Sequence, residues 1–185
     1  MVQPARGRET RDGHMRQAYV VFVIGLPMNA VLDVRADPLA ALEQRMRAMP
    51  PVAALGVRVQ ACDVGSLTLS APLARNLNDK GSAFGGSQSA LLTLAAWALT
   101  TLRLGEWGRE ADVYVQDSSV RFLAPLHDDL EARAWLAPGQ DWEAFFAAFV
   151  ARGKARIALE SEMRDRAGRV VTRFEGRFVA LPPND

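Results

Sequence analysis

Asn76-Leu77-Asn78-Asp79-Lys80-Gly81-Ser82-Ala83-Phe84-Gly85-Gly86-Ser87 is a polar, glycine-bearing turn that runs into an apolar stretch from Ala90 to Leu104. Thr93, Thr100, Thr101 and Arg103 are the only strongly polar members of that stretch, so it reads as a helix buried on every side. Its amino end is therefore expected to face inward. A helix start carries unpaired backbone N–H groups and the positive end of the dipole, and glycines there let a ligand approach the backbone closely. A carbonyl oxygen gaining negative charge fits such a place.

Working outward, the 185 residues suit one domain with a core of ordinary size. The formal net charge is +1, and no arginine-rich stripe stands apart from acidic neighbours in the part expected to fold, which removes the electrostatic case for nucleic acid. Cys62 is the only cysteine, so a single chain can build neither a disulfide framework nor a cysteine-based zinc site. The two histidines, His14 and His127, lie far apart, which argues against a histidine triad or a metal cluster, and no metal is expected.

Upstream, residues 1–17 are rich in arginine and glycine with little to bury, the composition of a disordered tail. The apolar run Ala18-Tyr19-Val20-Val21-Phe22-Val23-Ile24-Gly25-Leu26 is too short to span a bilayer. It reads as a strand or an upstream extension, with a signal-peptide core as the minor alternative to a cytoplasmic chain. Residues 1–36 are thus an N-terminal extension, and the domain proper is 37–185. Asp37-Pro38, with Leu39, Leu42, Met46 and Met49, begins an amphipathic helix that Pro50-Pro51 is expected to stop. Val52 to Ala61 and Ser66 to Ala71 then read as a hairpin turning at Asp63-Val64-Gly65.

Downstream of the helix, Trp107 sits in a polar connection as a packing residue, and 111–124 reads as a long strand. Strict alternation would give Val113, Val115, Asp117, Ser119, Arg121 and Leu123 one face, and Tyr114, Gln116, Ser118, Val120 and Phe122 the other. Leu130 to Leu136 supplies the returning strand, with His127-Asp128-Asp129 as its solvated turn. Asp141 caps a helix whose Trp142, Phe145, Phe146, Phe149 and Val150 share a face, as core or as the wall of an acyl pocket. Strands 154–163 and 170–181 close the chain, and their Arg156, Glu160, Glu162, Arg173, Glu175 and Arg177 suggest cross-strand ion pairs.

A helix, two strands, a long buried helix and then antiparallel strands is the order of an α+β hot-dog fold, a curved sheet wrapped round one helix. The stretches Asn78 to Ser87 with Leu91 to Trp97, and Val115-Gln116-Asp117-Ser118-Ser119-Val120-Arg121-Phe122-Leu123-Ala124-Pro125, sharpen that expectation. From about Asp37 onward the chain resembles the thioesterase domain family that in some bacteria is fused behind an acetyltransferase domain. The segment before Asp37 is too short to hold such a partner domain. In the wider acyl-CoA thioesterase group of hot-dog proteins, an Asn precedes a His-Gly-Gly at the helix start, and an acidic residue follows about two turns on. Asn78 and Gly85-Gly86 match that pattern, whereas Phe84 stands at the histidine position and Thr93 at the acidic one.

The resemblance implies hydrolysis of an acyl thioester, of coenzyme A or of an acyl carrier protein, with no cofactor beyond the coenzyme A or pantetheine of the substrate. N–H groups around Gly85 and Gly86 would hold the developing oxyanion. Asp79 or Asp117 would replace the missing base, each having a plain structural alternative as a cap or a strand hydrogen-bonder. Asn78, Thr93 or Ser118 would hold the water or the thioester, with Gly81, Phe84 and Ser87 also at the site and Lys80 toward the substrate phosphates. Ser87 would be a nucleophile only with a base beside it. The second reading is a non-catalytic module that binds acyl thioesters in a degenerate hot-dog site; a hydratase, which ordinarily uses a histidine–acid pair, is the third. The resemblance also implies a homodimer at least, and an exposed sheet edge gives an independent reason for one.

Overall fold

The computed structural model describes residues 37–183. The readings of residues 1–36, including the apolar run at 18–26 and His14, lie outside them. Among the described residues the elements run α1 (Pro38–Arg47), α2 (Pro50–Leu55), β1 (Arg58–Cys62), β2 (Ser66–Ala71), a 3₁₀ turn (Leu73–Arg75), α3 (Gly85–Glu106), β3 (Asp112–Phe122), β4 (Leu130–Leu136), α4 (Trp142–Arg152), β5 (Ala155–Arg164) and β6 (Val170–Leu181). The six strands form one sheet in the order β1-β2-β4-β5-β6-β3, every pairing antiparallel. The sheet wraps α3, which touches β2, β3, β4, β5 and β6. This is the α+β hot-dog architecture expected from the sequence.

The long helix forms because its apolar residues are matched by apolar sheet positions. Leu91, Leu92, Ala95, Ala96, Ala98 and Leu99 have no exposed surface, and neither do Leu67, Leu69, Ala132, Ala134 and Phe178 opposite them. Burying each leucine side chain contributes about 2 kcal/mol relative to exposure. Two polar side chains inside are paired, Ser161 Oγ donating to Leu92 O at 3.0 Å and Thr100 Oγ1 to Ala96 O at 3.0 Å, whereas Asn76 Oδ1 and Thr101 Oγ1 are buried without a partner.

Three expectations are corrected. Pro50-Pro51 ends α1 but also starts α2, because proline fits the first helical turn where the N–H is unpaired anyway; β1 therefore begins at Arg58 and not at Val52. The strict alternation in β3 fails at a bulge between Val115 and Asp117, which leaves Gln116 without a cross-strand partner. Beyond it the faces switch. Val113, Val115, Ser118, Val120 and Phe122 now stand opposite Ala180, Phe178, Gly176, Phe174 and Thr172, on the side facing the helix, while Asp117, Ser119 and Arg121 lie on the outer face. Finally, the charged residues Arg156, Glu160, Glu162, Arg173, Glu175 and Arg177 of β5 and β6 share the outer face but do not form ion pairs across the two strands. Glu160 stands opposite Glu175, Glu162 binds Arg164 at 2.6 Å, Arg156 binds Gln116 at 2.6 Å and Arg177 binds Asp117.

The α4 helix forms with the expected cap, Asp141 Oδ2 accepting from Ala144 N at 2.9 Å, and buries Phe145, Phe146 and Phe149, but Val150, expected on the same face, is exposed. Trp107, which caps the carboxyl end of α3, stacks on Phe146 with ring centroids 3.9 Å apart. The aromatic helix is thus core at the far end of α3, a helix of 22 residues and so about 33 Å long, rather than a wall at its start. No helix among the described residues is long and apolar enough to cross a membrane.

Candidate active site at the start of the long helix

The turn ahead of α3 is tied by its own side chains. Asn78 Oδ1 accepts from Lys80 N at 2.9 Å and Ser82 N at 3.1 Å, and Asn78 Nδ2 donates to Ser82 Oγ at 2.9 Å. Gly81 carries a φ of +76°, a conformation few other residues adopt, and this lets the chain fold back within five residues. Ala83 N donates to Leu126 O and Phe84 N to Asn76 O, both at 2.7 Å, which docks the turn onto the body of the domain.

Phe84 is the N-cap of α3 in an extended conformation, with no side chain capping the helix. The first internal bond is Gln88 N to Phe84 O at 3.0 Å, so the N–H groups of Gly85, Gly86 and Ser87 have no acceptor among the described residues. Two rings flank them. A Cβ at Gly86 would stand 2.3 Å from Phe84 Cε1, and one at Gly85 would stand 3.3 Å from Phe122 Cζ. Phe84 and Phe122 are 53% and 54% exposed, so the amino end of α3 opens at the surface of the single chain and does not face inward as expected. A helix can be buried along its length and still present its first turn, because the sheet wraps its flanks and not its end.

The residues singled out from the sequence separate into groups. Gly85, Gly86, Phe84 and Ser87 form the helix start itself, with Ser87 buried. Thr93 lies two turns along, half-buried, its hydroxyl donating to Ser89 O at 2.8 Å. The bulge places Ser118 on the helix-facing side of β3 with Phe122. Asn78 and Gly81 shape the turn. Asp79 is 80% exposed and pairs with Lys80 at 2.8 and 2.9 Å. Asp117 is brought elsewhere: on the outer face it holds Arg177 through both carboxylate oxygens, and the Arg177 guanidinium keeps its carboxyl below the usual carboxylate range. The sheet stands between Asp117 and α3, so this aspartate does not join the helix start.

Two residues of the site were not legible as such. His127, read as part of a solvated turn, has Nδ1 3.4 Å from Gly81 O; the bond from Ala83 N to Leu126 O, formed across more than forty residues, puts it there. Gln88 is buried inside the first turns of α3, with Nε2 donating to Ala83 O at 2.9 Å and Oε1 accepting from Thr172 Oγ1. Among the described residues no three His, Cys, Asp or Glu side chains gather as metal ligands. The Cys62 thiol lies on β1, and burial pushes its pKa up, which disfavours the thiolate.

Against known proteins, the family model described as "Putative thioesterase (yiiD_Cterm)" matches residues 39–182. A solved structure of a protein of unknown function from Chlorobaculum tepidum is 29% identical, with a TM-score of 0.72 over 78% of this chain and 94% of that one. One from Shewanella oneidensis, described as a putative thioesterase, is 27% identical, with a TM-score of 0.70 over 78% and 98%. A Haemophilus influenzae thioesterase shares the fold at 18% identity, with a TM-score of 0.61 over 78% and 90%. No curated protein matches the sequence.

Proposed function

Because the chain belongs to the family described as "Putative thioesterase (yiiD_Cterm)", we propose that it hydrolyses an acyl thioester whose carbonyl oxygen docks on the first turn of α3. The single observation that carries this reading is the uncapped helix start. Gly85, Gly86 and Ser87 present three N–H groups without acceptors, between the Phe84 and Phe122 rings that pack against the two glycines. Charge developing on the oxygen as water attacks is stabilised there by groups already in place, and one such donor is worth about 3 kcal/mol in known enzymes.

The attacking water needs a proton acceptor. Asp79 is the aspartate of the turn that leads into the helix, and Asp117 faces the other way, so we assign Asp79 to deprotonate or orient the water. Thr93, whose hydroxyl oxygen retains lone pairs after donating to Ser89 O, holds water or thioester alongside Ser118. Phe84 and Phe122 contact the apolar part of the acyl group. The substrate is the thioester of coenzyme A or of a carrier-protein pantetheine arm, with Lys80 toward its phosphate. The working unit is a homodimer paired along β3, whose Val115 and Phe122, with Leu123 just beyond its end, are exposed at the sheet edge.

The test offers purified protein short, branched, aromatic and long acyl-CoA esters while free thiol is followed. Release that falls at least 100-fold in Asp79→Asn and persists in Asp117→Asn is the expected result. One observation favours the second reading, a module that binds acyl thioesters without turnover: no carboxylate or imidazole of the described residues bonds to the first turn of α3. Binding of every ester with no thiol released establishes that reading and overturns hydrolysis.

A further inference from the structure

The carbonyl site is made of peptide N–H groups, so its geometry depends on what orients those peptides. Each peptide is planar, and the direction of one N–H is set by the carbonyl on the other side of the same bond. The Gly85 N–H belongs to the peptide whose carbonyl is Phe84 O, and that oxygen accepts from Gln88 N at 3.0 Å. The preceding peptide has Ala83 O at one end and Phe84 N at the other. Phe84 N donates to Asn76 O, and Ala83 O accepts from Gln88 Nε2 at 2.9 Å. Gln88 thus holds both carbonyls that precede the glycine pair, one through its backbone and one through its side chain.

The other side-chain atom reaches across the core. Gln88 Oε1 accepts from the hydroxyl of Thr172, which is fully buried on β6. Thr172 stands opposite Phe122, the residue whose ring lies against Gly85. One amide therefore joins the turn that enters the helix to the strand end that carries an aromatic wall. Gln88 itself is 4% exposed, and both ends of its amide are satisfied. An apolar side chain at this position would leave Ala83 O without this donor.

We infer that Gln88 is a positioning residue for the carbonyl site, fixing the two peptides that lead into the glycine pair, the second of which aims the Gly85 N–H, and tying them to the strand that carries Phe122. The inference rests on the reading of the α3 start as the place where the thioester carbonyl binds. A small rotation of these peptides misaligns the donors, and misplacement of about 1 Å can cost roughly 100-fold in rate.

Gln88→Leu and the isosteric Thr172→Val, with the double variant, test it by two independent readouts. In thioester hydrolysis, kcat of Gln88→Leu is expected to fall roughly 10- to 100-fold with KM nearly unchanged. Thr172→Val falls less, and the double variant is no worse than Gln88→Leu, since both side chains act through one bond. In amide NMR of the unliganded protein, the Gly85 and Gly86 resonances are expected to shift and broaden in both single variants. Unchanged glycine resonances together with an unchanged kcat, even beside a lower melting temperature, would overturn the inference and leave Gln88 a core residue only. If the wild-type protein releases no thiol, the functional proposal fails, and the glycine resonances decide the positioning role alone. Should Gln88→Leu not fold, the same resonances in Thr172→Val decide: shifted, they support the positioning role, and unchanged, they overturn it.

Discussion

At Gly86 any side chain collides with the Phe84 ring, because a Cβ would stand 2.3 Å from it. Gly86→Ala must therefore move an exposed ring, not the core, and is expected to lower thiol release roughly 10- to 100-fold while the melting temperature changes little. Asp117 gives the opposite prediction. Its carboxyl is held below the usual range by the hydrogen bond from Arg177, so the pairing stabilises the fold above the ordinary carboxylate pKa and is lost as pH falls through the depressed one. Wild type should exceed Asp117→Asn in stability by a constant amount at neutral pH, and the gap should close in acid; a gap that widens in acid contradicts the assignment. The glycines were legible in the sequence because turn chemistry is local. The facing of Asp117 was not, since one extra residue in β3 reverses every side chain after it.

The central element is α3, which the sheet wraps along its length. Leu99 is fully buried between helix and sheet, and Leu99→Ala should cost about 2 to 5 kcal/mol of unfolding free energy in a denaturant titration. A loss under about 1 kcal/mol would mean that the helix is not the core. The helix, β2, β4, β6 and α4 could all be read from apolar spacing and caps, because each buries a regular face. Pro50-Pro51 reads as a stop, yet the same proline that ends one helix can occupy the first turn of the next. The position of His127 beside Gly81 was invisible for another reason: it depends on a contact between two loops.

For the whole molecule, the two sheet edges differ. At β1 the edge is partly covered by α1, and Glu43 Oε2 accepts from Val59 N at 2.8 Å. The β3 edge carries exposed Val115 and Phe122, with Leu123 just beyond its end, and the uncapped helix start lies beside it. Pairing two copies along β3 would cover the edge and enclose the carbonyl site in one step. Light scattering at working concentration should give the mass of two chains or a multiple of it; a clean monomer would contradict the pairing. The central claim, that a thioester carbonyl binds the first turn of α3, is tested most directly by difference infrared spectroscopy. The probe is a non-hydrolysable ketone analogue of the thioester, ¹³C-labelled at the carbonyl. Bound to wild-type protein, its carbonyl stretch should move to lower frequency than in water, and the shift should shrink in Gly86→Ala. A bound carbonyl that keeps its aqueous frequency in both proteins would contradict the claim.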